Sequence, residues 1–130
     1  MRTPCIMVVD DNEADQFIAK MTIQEYDPNI KIIKAYDGEE ALEILGNIDQ
    51  QPDIIFLDTN MPRMNGHEFL AAYSKKKGSN LVVIRMLTSS AQEKDKEEAL
   101  AYSNVKDYLL KPLEVQNIEE VIKPLAADGK

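Results

Sequence analysis

Four polar clusters follow apolar runs in this sequence, and their side chains are of types that can carry chemistry. Asp10 and Asp11 follow the first run, Asp58 ends the third, Thr88 ends the fourth and Lys111 follows the fifth. Three carboxylates held close together repel one another unless a cation lies among them, and hard oxygen ligands suit Mg²⁺. Zinc is disfavoured because no cluster of His or Cys is available. With a lysine and a hydroxyl as donors to phosphoryl oxygens, these residues predict a site that places a phosphoryl group on, or next to, Asp58.

Five short apolar runs must position these clusters, and a longer amphipathic stretch follows each of them. Strands that alternate with helices and are apolar on both faces favour a parallel sheet covered by helices on each side. Ligands bind beyond the carboxyl ends of the strands in such sheets, so all four clusters are expected at one edge. The runs are "CIMVVD" from Cys5, "IKIIKA" from Ile30, "DIIFLD" from Asp53, "LVVIRMLT" from Leu81 and "KDYLL" from Lys106.

Helical spacing of apolar residues predicts a helix after each of the five runs. Three helix starts carry a capping side chain three residues before a glutamate: Asp37 with Glu40, Asn65 with Glu68, and Ser90 with Glu93. The apolar positions are Ala14, Phe17, Ile18 and Met21; Ala41, Leu42 and Leu45; Phe69, Leu70 and Tyr73; Ala99, Leu100 and Tyr102; and Val115, Ile118, Ile122 and Leu125.

Length and charge limit the remaining possibilities. The 130 residues are expected to form one domain over residues 1–130, without a separate output domain. A formal net charge of −8 disfavours direct binding to nucleic acid or to an anionic membrane. No apolar run approaches the length of a bilayer span. The single cysteine, Cys5, excludes an internal disulfide, and these features together predict a cytoplasmic protein.

The four motifs in register resemble those of the receiver domain of two-component response regulators. They are "DD" at Asp10, "FLDTNMPRMNG" around Asp58, "MLTSS" around Thr88 and "DYLLKP" around Lys111, and the likeness extends from Cys5 to about Ala126. The resemblance implies a stand-alone, CheY-like domain with a flavodoxin-like, doubly wound sheet of five parallel strands, order 2-1-3-4-5, flanked by five helices. It also implies that a histidine kinase or a histidine phosphotransfer protein passes a phosphoryl group to this chain.

The resemblance assigns the phosphoryl and metal chemistry to four residues. Asp58 matches the nucleophile that becomes an acyl phosphate. Asp11 and Asp58 would supply carboxylates to Mg²⁺, with Asp10 helping directly or through water. The backbone carbonyl of Asn60 matches the remaining protein ligand.

Four further residues match the positions that respond to the phosphoryl group. Lys111 would pair with a phosphoryl oxygen, and its bond to Pro112 is expected to be cis. Thr88 would turn inward to hydrogen-bond the phosphoryl group, and Tyr108 matches an aromatic switch that moves toward the space Thr88 leaves. The switch would alter the surface of the fourth helix, fifth strand and fifth helix and so control a downstream protein. Tyr108 could equally be an aromatic residue suited to any strand.

Several alternatives stay open at this stage. A Mg²⁺-dependent phosphohydrolase of the haloacid dehalogenase type also uses a strand-end aspartate, but its motif follows the first strand and has an acid where Asn60 stands. A degenerate receiver could act as an adaptor without phosphorylation, although no expected acid, threonine or lysine is missing. Catalysis is expected only of the domain's own phosphorylation and dephosphorylation, in a monomer or a phosphorylation-dependent dimer. Arg85, inside the fourth apolar run, must reach an edge or pair with an acid.

Overall fold

Strands and helices alternate along the chain in the computed structural model, which describes residues 4–48, 51–59, 64, 66–75, 83–88, 93–102, 105–111 and 113–128. The strands are β1 (Cys5–Val9), β2 (Lys31–Ala35), β3 (Ile54–Asp58), β4 (Val83–Thr88) and β5 (Val105–Leu110). The helices are α1 (Glu13–Tyr26), α2 (Gly38–Asn47), α3 (Gly66–Tyr73), α4 (Glu93–Leu100) and α5 (Val115–Asp128). The predicted alternation is confirmed.

All five strands form one parallel sheet in the order β2-β1-β3-β4-β5, as predicted. The register pairs Val9 with Leu57, so that the residues following β1 and ending β3 lie side by side. Thr88 pairs with Leu110, which brings the last residue of β4 next to the residue before Lys111. Because the strands are parallel, their carboxyl ends all lie at one edge of the sheet.

The two faces of the sheet carry separate apolar clusters, because successive side chains of a strand point to opposite faces. The cluster on the side of α1 and α5 contains Ile6, Val8, Ala19, Ile23, Ile54, Phe56, Ile118 and Ile122, among others. The cluster on the side of α2, α3 and α4 contains Met7, Val9, Ala41, Leu45, Ile55, Leu57, Phe69 and Ala99, among others. Asp10 and Asp58 continue the alternation of the first set, which predicts that both carboxylates turn toward the side of α1 and α5.

Helix α1 does not use the apolar positions that its spacing suggested. Phe17, Ile18 and Met21 are 62%, 40% and 50% exposed. The buried residues of α1 are Gln16, Ala19 and Ile23. The helix therefore rests on the sheet through a face that includes a polar amide and leaves an apolar stripe in solvent.

The buried amide of Gln16 explains this orientation of α1. Its Nε2 donates hydrogen bonds to the backbone oxygens of Val8, Asp10 and Ala35 at 3.1, 3.0 and 2.9 Å. These acceptors lie at the carboxyl ends of β1 and β2. The side chain thus joins both strand ends to α1 directly beneath Asp10.

Side-chain caps set the starts of α1 and α2. Asn12 Oδ1 accepts from the backbone N–H of Asp15 at 3.0 Å. Asp37 Oδ1 accepts from Glu40 N at 2.8 Å while Glu40 Oε1 accepts from Tyr36 N, so the capping pair predicted there is confirmed. The capping residues predicted for α3 and α4, Asn65 and Ser90, lie outside the described residues.

The sheet is less apolar at its edges than the sequence suggested. The edge strand β2 exposes Lys31 and Lys34, and charged side chains on an edge discourage pairing with another sheet. The register between β4 and β5 shifts between Ile84 and Arg85. The backbone of Arg85 is in the strand, but its side chain lies outside the described residues.

In the described part of the chain, no helix has the length and apolar character needed to cross a bilayer.

Candidate functional site

Three carboxylates converge at the carboxyl edge of the sheet. One oxygen from each of Asp10, Asp11 and Asp58 lies within 4.8 Å of the others. Asp10 and Asp58 are buried, whereas Asp11 is exposed. The β1 and β3 backbones fix the two buried acids next to each other, and the exposed acid closes the group from the solvent side. This donor set of hard oxygens fits Mg²⁺.

The carboxylate of Asp10 is held in place through both oxygens. Its Oδ1 accepts from the backbone N–H of Asn12 at 2.9 Å. Its Oδ2 accepts from Nζ of Lys111 at 2.8 Å. Asp10 therefore orients the lysine while its own position is set by the start of α1.

Lys111 places a cation among the described acids of the site. Its Nζ lies 2.8 Å from Asp10 Oδ2, 2.7 Å from Asp15 Oδ2 and 3.5 Å from Asp58 Oδ1. Burial lowers the pKa of this ammonium, but hydrogen bonds to Asp10 and Asp15 and the charges of Asp10 and Asp58 outweigh it, so the pKa lies above its ordinary value. The lysine stays protonated and partly neutralises the acids around it.

Asp15 belongs to this site although sequence reasoning did not select it. It lies in the first turn of α1, where acidic residues ordinarily stabilise the helix dipole, and this masked its role. The available signal was its position, because Asp15 lies in the first turn of the helix that starts just after Asp10 and Asp11. In the structure it makes the shortest contact to Lys111.

A small cleft of about 20 Å³ lies beside the lysine. Asp10, Asp15 and Lys111 form its polar wall, and Ile18 of α1 contributes to its apolar wall. The cleft connects the acidic site to the exposed apolar stripe of α1.

Gly66 allows the turn after β3 to close on Asp58. A Cβ at this position would lie 2.6 Å from the backbone oxygen of Asp58 and 3.1 Å from Cα of Thr59. The backbone N–H of Gly66 donates to Thr59 O at 3.2 Å. The start of α3 is therefore pressed against the backbone that carries the buried acid.

The remaining predicted residues fall on β4, β5 and the loops. Tyr108 is half-buried and packs against the apolar cluster on the side of α2, α3 and α4. Thr88 ends β4 at the same edge as Asp58, but its side chain lies outside the described residues. Asn60 and Pro112 also lie outside them, and so does the peptide bond predicted to be cis.

A doubly wound parallel sheet with an acidic, lysine-containing site at its carboxyl edge defines an α/β protein of the flavodoxin-like class. A family model of the response regulator receiver domain matches residues 6–123. The chain therefore belongs to the response regulator receiver domain family. It is a receiver domain of two-component signalling with the CheY-like fold.

Relatives occur in both kinases and response regulators. The chain is 30% identical over 119 residues to the sensor histidine kinase CheAY of Helicobacter pylori, covering 91% of this chain and 14% of that protein. It is 32% identical over 123 residues to the nitrate/nitrite response regulator protein NarL of Escherichia coli, covering 94% of this chain and 54% of that protein. It thus spans only part of either relative.

A solved structure agrees over nearly the full length of both chains. The two-component response regulator from Legionella pneumophila superposes with a TM-score of 0.85 at 27% identity, covering 97% of this chain and 99% of that one. The two chains therefore share the same overall fold.

Proposed function

We propose that this receiver domain accepts a phosphoryl group on Asp58 from the phosphohistidine of a histidine kinase or a histidine phosphotransfer protein. The observation that carries the proposal is the position of the buried Asp58 carboxylate, 3.5 Å from the Lys111 ammonium and beside two further carboxylates. Burying several carboxylates together destabilises the folded chain unless a cation pairs with them, so such a group indicates a functional site.

Phosphoryl transfer at this site needs positioning and charge neutralisation more than acid or base catalysis. A carboxylate oxygen of Asp58 forms the new P–O bond as the P–N bond to the donor imidazole breaks, and that nitrogen keeps the electron pair. Lys111 binds a phosphoryl oxygen and stabilises the charge carried across. Hydrolysis of the acyl phosphate by water later returns Asp58 to a carboxylate, so the domain catalyses only reactions of its own side chain.

The acidic group fits a Mg²⁺ ion, which when bound would neutralise charge on the phosphoryl oxygens. Both oxygens of Asp10 already accept a hydrogen bond, from Asn12 N and Lys111 Nζ. Asp11 and Asp58 would hold the ion through their carboxylates, and Asp10 would help directly or through water, since each of its oxygens keeps a second lone pair. The predicted backbone contact from Asn60 completes the proposed set of protein ligands.

Two other functions have less support from the molecule. A phosphohydrolase of the haloacid dehalogenase type would use an acid after β1 as its nucleophile, whereas the proposed phosphoryl acceptor, Asp58, ends β3. A constitutive adaptor would have no use for a lysine that binds three carboxylates. Turnover of small phosphoesters, expected to be absent, distinguishes the first function, and stable phosphorylation distinguishes the second.

Signalling would proceed through Thr88 and Tyr108. Tyr108 lies on the face of the sheet that α4 covers. Its side chain is half-buried, so the ring could move between a more buried and a more exposed position. A hydrogen bond from Thr88 to the phosphoryl group would open space for the ring. The equilibrium between two conformations of the α4, β5 and α5 surface would then shift toward the one that binds a downstream protein.

The protein that donates the phosphoryl group is proposed to dock on α1. Phe17, Ile18 and Met21 form an exposed apolar stripe, and Ile18 also lines the cleft beside Lys111. A donor histidine must come within bonding distance of Asp58, so its own helix must cover the adjacent surface. An apolar face on that helix would bury this stripe.

We propose that the protein acts in the cytoplasm. Cys5 is a buried cysteine that forms no disulfide, which is compatible with a reducing compartment. A net charge of −8 disfavours nucleic acid as the direct target.

Intact-mass measurement after incubation with acetyl phosphate and Mg²⁺ tests the proposed function. The wild-type chain should gain one phosphoryl group that hydroxylamine removes, and Asp58→Asn should gain none. Asp27→Asn is the matched control, since Asp27 caps the far end of α1 and should leave the modification unchanged. Absence of the adduct in wild type, with no consumption of acetyl phosphate, would refute the proposal.

A further inference from the structure

The Lys111 ammonium lies closer to Asp15 of α1 than to Asp58, the acid that would carry the phosphoryl group. Its Nζ lies 2.7 Å from Asp15 and 3.5 Å from Asp58. The lysine side chain is 16% exposed and that of Asp15 is 34% exposed, so the contact lies at the rim of the site. We propose that Asp15 is a positioning residue that holds the Lys111 ammonium away from Asp58 and thereby opposes capture of the phosphoryl group; this inference rests on the proposed phosphorylation of Asp58.

The anchoring of Asp15 makes it a restraint on the lysine. Its backbone N–H is bound by Asn12 Oδ1 at 3.0 Å, in the first turn of α1. The helix is held in turn by the buried amide of Gln16, which bonds three backbone oxygens of β1 and β2. The Asp15 carboxylate therefore cannot follow Lys111 far toward Asp58.

The distances around the ammonium support competition for it. Asp10 and Asp15 accept hydrogen bonds from Lys111 Nζ at 2.8 and 2.7 Å, whereas Asp58 Oδ1 lies 3.5 Å away. A phosphoryl group on Asp58 would bring oxygens that require the same ammonium. Movement of Lys111 toward those oxygens lengthens its contact with Asp15, whereas Asp10, beside Asp58 in the sheet, can keep its contact.

Removal of the Asp15 carboxylate should therefore favour the phosphoryl-bound arrangement. The probe is beryllofluoride, an analogue of a phosphoryl group that adds to a carboxylate, titrated by calorimetry at saturating Mg²⁺. We expect Asp15→Asn to lower the half-saturating concentration about two- to fivefold, the size of a partly exposed ion pair. The rate of modification by acetyl phosphate should rise in the same proportion.

Three further variants separate this role from general effects. Asp15→Glu restores a carboxylate that can reach the lysine and should return the wild-type value. Glu13→Gln removes one negative charge from the same turn of α1, but Glu13 has no contact with Lys111 among the ion pairs of the described residues, and it should leave the value unchanged. Asp15→Ser offers a second removal of the carboxylate if the asparagine variant does not fold.

The outcomes distinguish this inference from the function on which it rests. Equal or weaker binding of beryllofluoride by both Asp15→Asn and Asp15→Ser, with wild type binding normally, would overturn the role of Asp15 alone. An equal gain in Glu13→Gln would also overturn it, because the effect would then come from charge and not from the contact. A wild-type chain that binds no beryllofluoride and gains no phosphoryl group would overturn the proposed function itself.

Discussion

Gly66 and Asp58 are in backbone contact across the turn that follows β3. A Cβ on Gly66 would lie 2.6 Å from the Asp58 oxygen, closer than any carbon side chain tolerates. Asp58 itself ends a strand whose residues are all buried, so its backbone has little freedom to move away. The first residue of α3 must therefore be glycine for the acid to keep its position.

Gly66→Ala should destabilise the domain by about 1–3 kcal/mol and slow modification of Asp58, because backbone cannot yield as a side chain can. Urea unfolding and intact mass with acetyl phosphate measure the two effects. Gly38→Ala is the matched control, since its new Cβ would meet the movable Cγ and Sδ of Met64 at 2.8 and 2.9 Å and a backbone atom, Met64 O, only at 3.0 Å. An equal loss of stability in both variants would contradict this explanation.

Lys111→Met should lower the free energy of unfolding by about 1–3 kcal/mol near neutral pH, since it leaves buried carboxylates without their cation. The pKa of Lys111 is raised in the folded chain, so its contribution is complete below the unfolded pKa of about 10.4 and is lost as pH rises through the folded value. The difference between wild type and variant should therefore be constant from about pH 8 to 10 and shrink above that range.

Urea unfolding at a series of pH values measures that difference. Lys123→Met is the control, because Lys123 pairs with Glu119 on the exposed surface of α5 and should leave the unfolding midpoint unchanged. A difference between wild type and Lys111→Met that grows above about pH 10.4 would contradict the assignment.

Mg²⁺ should stabilise the folded chain. At ten times its dissociation constant, the ion should raise the free energy of unfolding by about 1.4 kcal/mol. Asp11→Asn should weaken this gain and, without Mg²⁺, leave stability equal or higher, because one of three like charges is gone. Urea unfolding with and without Mg²⁺ tests both signs, with Asp27→Asn as control. An undiminished gain in Asp11→Asn would exclude Asp11 as a ligand.

Gln16→Met should lower the free energy of unfolding by about 1–3 kcal/mol, because it removes a buried donor to three backbone oxygens. Gln116→Met provides the comparison. That amide is exposed and bonds only Glu120, at 3.3 Å, among the described contacts. Denaturant unfolding of the two variants should therefore differ clearly, and a similar midpoint for both would refute the role given to Gln16.

Phe17→Ser, alone or with Met21→Ser, should slow transfer from a phosphorylated histidine phosphotransfer protein. The rate with acetyl phosphate should not change, because a small donor needs no docking surface. Leu100→Ser removes an exposed apolar side chain from α4 and serves as control. If the rates from both donors fall together, or if Leu100→Ser slows protein transfer as much, α1 is not the docking face.

Sequence periodicity was sufficient for the architecture of this domain. Alternating apolar runs and amphipathic stretches predicted the five strands and five helices, and resemblance to receivers predicted the strand order, which the structure confirms. The convergence of Asp10, Asp11, Asp58 and Lys111 was also predictable, because each lies at or just after the end of a strand and parallel strands end at one edge.

Helix α1 shows where periodicity fails. Its apolar residues Phe17, Ile18 and Met21 fit helical spacing, yet they face solvent, and a glutamine is buried in their place. Spacing identifies an apolar face but does not say whether the sheet or another protein covers it. Hydrogen bonds from Gln16 to three backbone oxygens at the strand ends turn that side of α1 toward the sheet. These oxygens become neighbours only when β1 and β2 pair.

The order of the elements, and the edge of the sheet where the acids and the lysine gather, could be predicted because both depend on local pattern and on the direction of the chain. The closer contact of Lys111 with Asp15 than with Asp58, and the position of Gly66 against the Asp58 backbone, became visible once the chain was folded. These contacts depend on distances between groups far apart in the chain, and such distances are set by how the helices pack on the sheet.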